Sequence, residues 1–106
     1  MAYSEELVDT VWQSARALSE FDAAVWRRDA CGAWIRREHY GNARSDFGWN
    51  IVNVSAGEPD VPANLRALHH ANTYDRANHS LKCHVRADDT GTPASAHSRE
   101  PRNRTI

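Results

Sequence analysis

The chain has 106 residues, which suffices for one small domain. Its apolar share of 41% and charged share of 25% are those of an ordinary soluble composition with a polar tilt, and no apolar run reaches membrane-spanning length. The net charge of −1 gives no general reason to expect a nucleic-acid partner, but it is unevenly spread. Residues 1–25 hold one arginine against five acids, residues 26–86 hold nine basic residues against six acids, and residues 87–106 balance.

Residues 3–19 read as an amphipathic helix. Leu7, Val8, Val11, Trp12, Ala15 and Leu18 recur at helical spacing on one face. Ser4 is placed to cap it, Glu5 and Glu6 suit its positive end, and Tyr3 can staple onto Val8. Residues 20–41 are less regular: Asp22 would cap a short helix holding Val25 and Trp26, Gly32 interrupts it, and "RREHYG" ends on a C-capping Gly41. Trp49, Ile51 and Val52 give residues 48–54 strand character. Gly57, Pro59, Asp60 and Pro62 mark a loop, "NLRAL" reads as a short second strand, and Ala71, Tyr74, Asn78 and Leu81 predict a second helix over 69–81. From Asp88 the chain has almost no apolar content, so a disordered polar tail is expected over 88–106.

The acidic, amphipathic start is not a signal peptide, and the expectation is a cytoplasmic protein whose Cys31 and Cys83 are reduced thiols. Two cysteines without a CxxC pair do not make a zinc site. His79 and Cys83, four apart, would share a face of a continuing helix, and with Cys31 they are one conceivable metal set. The alternative is that both cysteines are small buried hydrophobes and that His69, His70, His79 and His84 are surface or capping residues.

"GWNIVNV", then Gly57, Asp60, "NLRAL" and "HHANTYDR", resemble the HNH endonuclease family in order and spacing, and the upstream "VWRRDACGAWIRREHYGN" is similar to a small bacterial branch of it. The similarity spans about residues 11–86. It implies an α+β domain over 1–87: an N-terminal helix plus a ββα-metal motif over 48–81, with a short two-stranded antiparallel hairpin packed on a helix.

Residue by residue, the resemblance argues against the family's activity. Its metal-binding Asp and general-base His fall at Val52 and Asn53, and its second metal ligand falls at Thr73. Valine offers no donor atom, an amide accepts no proton near neutral pH, and a threonine hydroxyl is a poor ligand alone. Asn64, which matches the residue that orients the catalytic His, and Arg76, which matches the basic residue one turn later, are retained; Ala67 stands where proline is usual. No metal or cofactor is therefore expected.

Three readings stand at this level. In the first, an inactive scaffold binds nucleic acid or a nucleic-acid-processing complex through Arg36, Arg37, Arg44, Asn53, Asn64, Arg66 and Arg76. The second is a protein-interaction module or inhibitor that meets a basic partner with Glu5, Glu6 and Asp9. The third is an active metal-dependent nuclease whose site has moved, with His69 or His70 as base. Oligomeric state is not legible in the chain.

Overall fold

The computed structural model describes residues 3–55, 57–89 and 101–106. Helix α1 runs Glu5–Ser14, and Ser4 caps it by accepting a hydrogen bond from the Leu7 N–H at 3.1 Å. It ends four residues before the end of the apolar pattern. Ala15 turns extended, Arg16 bridges to Arg28, and the Arg27 guanidinium binds the Gln13, Ala15 and Ala23 carbonyls. An arginine that gathers carbonyls at a helix C-terminus satisfies acceptors the helix leaves open.

Strands β1 (Trp26–Arg28) and β2 (Trp34–Arg36) pair antiparallel around a turn that closes on Gly32. Gly32 has φ +86°, a conformation other residues rarely adopt. A 3-10 turn over Arg37–His39 leads to β3 (Trp49–Asn53), which pairs antiparallel with β4 (Leu65–His69), Trp49 opposite His69 and Asn53 opposite Leu65. Gly48 lets β3 begin there: a Cβ at that position would lie 1.7 Å from the Asn42 carbonyl oxygen. Strands β5 (Thr73–Asp75) and β6 (Ser80–Lys82) pair with each other, as do β7 (Val85–Ala87) and β8 (Asn103–Thr105).

Alternation along β3 and β4 puts Trp49, Ile51, Leu65 and Ala67 inward, where they meet Val8, Val11 and Trp12 of α1 and Ile35 of β2. Trp49 is the centre: its ring lies 5.3 Å from Trp12 and 4.9 Å from Tyr40, and its indole N–H donates to the Arg36 carbonyl. A second aromatic group, Phe21, Trp26, Trp34 and Phe47, packs edge to face around β1 and β2. Large rings let so short a chain bury substantial apolar area.

Three expectations are overturned. The described residues form one α-helix and four separate two-stranded antiparallel ladders, so the ββα-metal architecture is not the fold. The predicted helix over 69–81 is the β5–β6 hairpin. The Asp75 carboxylate accepts from the Ala77 and Asn78 backbone N–H groups and the Asn78 amide, and His79 takes φ +51°, a tight turn that no helix contains. Cys31 and Cys83 are not free thiols but a disulfide that ties the β1–β2 turn to the β6–β7 connection, with Cα atoms 5.6 Å apart.

The expected tail also differs where it is described. Residues 103–105 form β8, and the Asn103 side chain bonds the Trp34 N–H and carbonyl and the Asp46 carbonyl. Residues 90–100 of that expected tail lie outside the described residues. Among the described residues, no helix is long and apolar enough to cross a membrane.

Candidate nucleic-acid interface

The end of β3 opens into a cleft of about 390 Å³ lined by Tyr3, Val52, Asn53, Asp60, Tyr74 and Arg76. Strand alternation decides which residues of 73–76 reach it. Tyr74 and Arg76, two apart, face the cleft, while exposed Thr73 is not among its walls. The position the sequence reading gave to a metal ligand is thus occupied by a tyrosine. Val52 and Asn53 do line this cleft together with Arg76.

Asn53 is committed to the loop beside it. Its amide N–H donates to the Glu58 and Pro59 carbonyls and to Asp60 Oδ1, and its Oδ1 accepts from the Ser55 N–H. Asn64 reaches the same loop from the far side, donating to the Pro59 carbonyl at 2.9 Å. Both asparagines therefore hold the loop's shape. Burial raises the Tyr3 hydroxyl above its ordinary value, and the charge and hydrogen bond of Asp60 push the same way, so Tyr3 stays a neutral donor at the cleft mouth. The chemistry on offer is one guanidinium, one carboxylate, two phenols and an amide around an apolar floor. That set can hold a polar ligand, and its one carboxylate, Asp60, is engaged by the Asn53 amide and the Tyr3 hydroxyl.

The remaining predicted contacts scatter. Arg37 forms ion pairs with Asp9 at 2.7 Å and Glu5 at 3.3 Å, so a predicted phosphate contact is paired with two predicted partner-binding acids. Glu6 stays exposed on α1. Arg36 lies over the Trp26 ring and beside Glu38 at 2.6 Å, an ion pair without hydrogen-bond alignment. Arg44 is exposed in the loop before β3. Arg66 lines a separate hollow with Arg16 and Arg28, its guanidinium held by the Ala63 and Leu65 carbonyls.

The histidines are structural or isolated. His69 is buried: its Nδ1 accepts from the Ala71 N–H, so its Nε2 carries the proton and donates to the Asp46 carbonyl at 2.8 Å. His70 stacks on it at 4.4 Å and bonds the Ser45 carbonyl through Nε2. His79 and His84 are exposed, and Cys83 is spent in the disulfide. Among the described residues, no three His, Cys, Asp or Glu side chains are grouped to hold a metal ion.

Tyr3, Asp60 and Tyr74 are the cleft residues that sequence reasoning missed. For Tyr74 a signal was present: Asp75 and Asn78 are turn residues, and reading them as such makes 73–75 a strand and exchanges Thr73 for Tyr74. No family model, curated protein or solved structure matches the chain significantly.

Proposed function

We propose that the protein binds nucleic acid without hydrolysing it, with the cleft at the end of β3 as a docking point. The observation that carries this is the convergence of Arg76 with Asn53, Tyr74 and Tyr3 around Val52. Arg76 supplies a phosphate contact, and the phenols supply flat faces and hydroxyl donors against which a nucleotide can lie. Val52 offers no metal ligand and no base, and Asn53 and Asp60 are bonded to each other, which favours binding over chemistry. The resemblance to HNH endonucleases supports the reading through β3 and β4 alone, since the helical half of that motif is replaced by a hairpin.

The protein-partner reading loses ground because Glu5 and Asp9 already pair with Arg37. A cytoplasmic setting would require the Cys31–Cys83 bond to persist against cellular reductants, which intracellular disulfides seldom do.

The test is fluorescence anisotropy of labelled duplex and single-stranded DNA at low and moderate salt, with and without Mg²⁺, each end point run on a gel. Binding that weakens with salt and leaves the DNA intact is expected, and Arg76→Ala should weaken it. Cleavage, or no binding at low salt, would overturn the reading.

A further inference from the structure

Away from the cleft, two hollows of about 480 Å³ each share Arg28, Cys31 and Gly32 and so form one trough over the disulfide. Arg16 and Arg66 line one end, and Arg86 and Arg104 line the other. These four side chains are exposed, and among the described residues none of them forms an ion pair with a carboxylate. Arg86 and Arg104 are direct cross-strand partners on β7 and β8. Like charges placed opposite one another in a ladder destabilise it, so this pair is a fold-level cost that an anion would relieve.

The acids nearby do little to cancel this charge. Asp29 is buried and turned inward onto the Cys31, Ala33 and His69 N–H groups and the Asn72 amide. Asp89 is spent on Arg28, which it grips through both carboxylate oxygens at 3.1 and 3.2 Å. Arg28 in turn stacks on Trp34 at 4.6 Å, with its Nε facing no acceptor among the described residues.

We infer that this trough is a second binding surface, distinct from the cleft, and that it takes the phosphodiester backbone of a nucleic-acid strand. The inference rests on the proposed partner class but not on the cleft. Every cation in the trough is arginine, whose planar fork matches phosphate oxygens two at a time. Its length, spanning two joined hollows, suits a chain of repeated charges better than a single anion. The exposed large apolar residues Val61, Leu81 and Ile106 do not line it, so a protein partner would find none of the apolar anchors that fix protein interfaces.

Arg86→Ala with Arg104→Ala tests the trough, and Arg104→Glu reverses its charge while giving Arg86 an opposite partner that keeps the ladder paired. Both are compared with Arg76→Ala by anisotropy on labelled DNA across a salt series, with thermal unfolding as the folding control and polyglutamate as a competing acidic chain. The expected result is at least a tenfold loss for each trough variant, and a salt slope lower by about two for the double variant, from two lost phosphate contacts. Arg104→Glu should melt no lower than the parent. DNA binding unchanged in the trough variants but lost in Arg76→Ala would overturn the trough and leave the cleft standing. No DNA binding by the parent protein would remove the proposed function itself, and with it the partner assigned here. Binding of polyglutamate in preference to DNA would overturn the choice of partner.

Discussion

Asp29 and Asn72, 43 residues apart, share a buried hydrogen bond of 3.1 Å between the Asn72 amide and Asp29 Oδ2, and between them they join three segments of the chain. Asp29 holds the β1–β2 turn through the Cys31 and Ala33 N–H groups and the end of β4 through the His69 N–H. Asn72 holds the start of β7, accepting from the His84 and Val85 N–H groups and donating to the Val85 carbonyl. Removing the amide strands several backbone groups at once. Asn72→Ala is expected to lower stability by about 2–4 kcal/mol, since each buried polar group left without a partner costs about 1–3 kcal/mol and water can reach some of these. Urea unfolding measures it, and a loss below about 1 kcal/mol would show the network to be incidental. Asn72→Asp keeps the shape but sets a second carboxylate against Asp29. It should be worse than the parent at neutral pH and recover as acid protonates one of the pair.

Stability should fall as the solution becomes mildly acidic, and His69 should be a principal cause. Burial depresses its pKa below the ordinary value; the neighbouring His70 adds to this, while the Asp46 carbonyl and nearby carboxylates oppose it. The geometry agrees, because a second proton on Nδ1 would face the Ala71 N–H. With the folded pKa below the unfolded one, the unfolded chain binds the proton more readily. The stabilisation is therefore complete above the ordinary histidine range and is lost as pH falls through it toward the lower folded value. Thermal midpoints between about pH 8 and pH 5 should decline in the parent and decline less in His69→Gln. Equal slopes would assign the effect to other groups.

The elements legible in the sequence are those whose decisive contacts are local. Ser4 caps α1 three residues from its partner, and the alternation of Trp49, Ile51, Leu65 and Ala67 marks an inward face without knowledge of the rest of the chain. A helix is expected over 69–81 because Ala71, Tyr74, Asn78 and Leu81 do satisfy a helical period. What defeats that period is the capture of Asn72 by Asp29 and by residues 84 and 85, contacts no local window contains. The pairing of Arg37 is hidden for a similar reason. Arg37 finds Asp9 28 residues away, so a sequence-level count of basic residues cannot say which are already neutralised. The trough draws on β1, β4, β7 and β8 and is visible only after folding. The disulfide was missed on an inference about compartment, not about geometry.

Opening the Cys31–Cys83 bond should destabilise the fold more than most single substitutions. It closes a loop with a sequence separation of 52, and the chain-entropy argument assigns such a loop about 4 kcal/mol. The bond also ties the β5–β6 hairpin, whose strands are exposed or half-buried, to the better-packed β1–β2 turn. A thermal melt with reductant, or of Cys31→Ser with Cys83→Ser, should show a midpoint well below that of the oxidised protein. Alkylation followed by mass measurement reports whether the bond was closed at the start. An oxidised protein that melts no higher than the double variant would show that the bond does not hold these segments.

Restoring a metal ligand at position 73 should add nothing to metal binding at the degenerate HNH positions. The sequence reading alone leads to the opposite expectation, that Val52→Asp, Asn53→His and Thr73→Asn together create divalent-ion affinity. Strand β5 puts Tyr74, not Thr73, on the cleft wall, so the third ligand would point away from the other two. Replacing Asn53 would also remove the amide that holds Glu58, Pro59 and Asp60, loosening the wall against which any ion would sit. Calorimetric titration with Mn²⁺ should therefore show that the folded triple variant binds no better than the variant with Val52→Asp and Asn53→His alone. Moving the third ligand with Tyr74→His in place of Thr73→Asn gives the ion its best chance. Affinity in the Thr73→Asn triple variant that is absent when only Val52→Asp and Asn53→His are made would mean that residue 73 reaches the cleft, as in the helix the spacing suggests over 69–81, and the hairpin would be wrong.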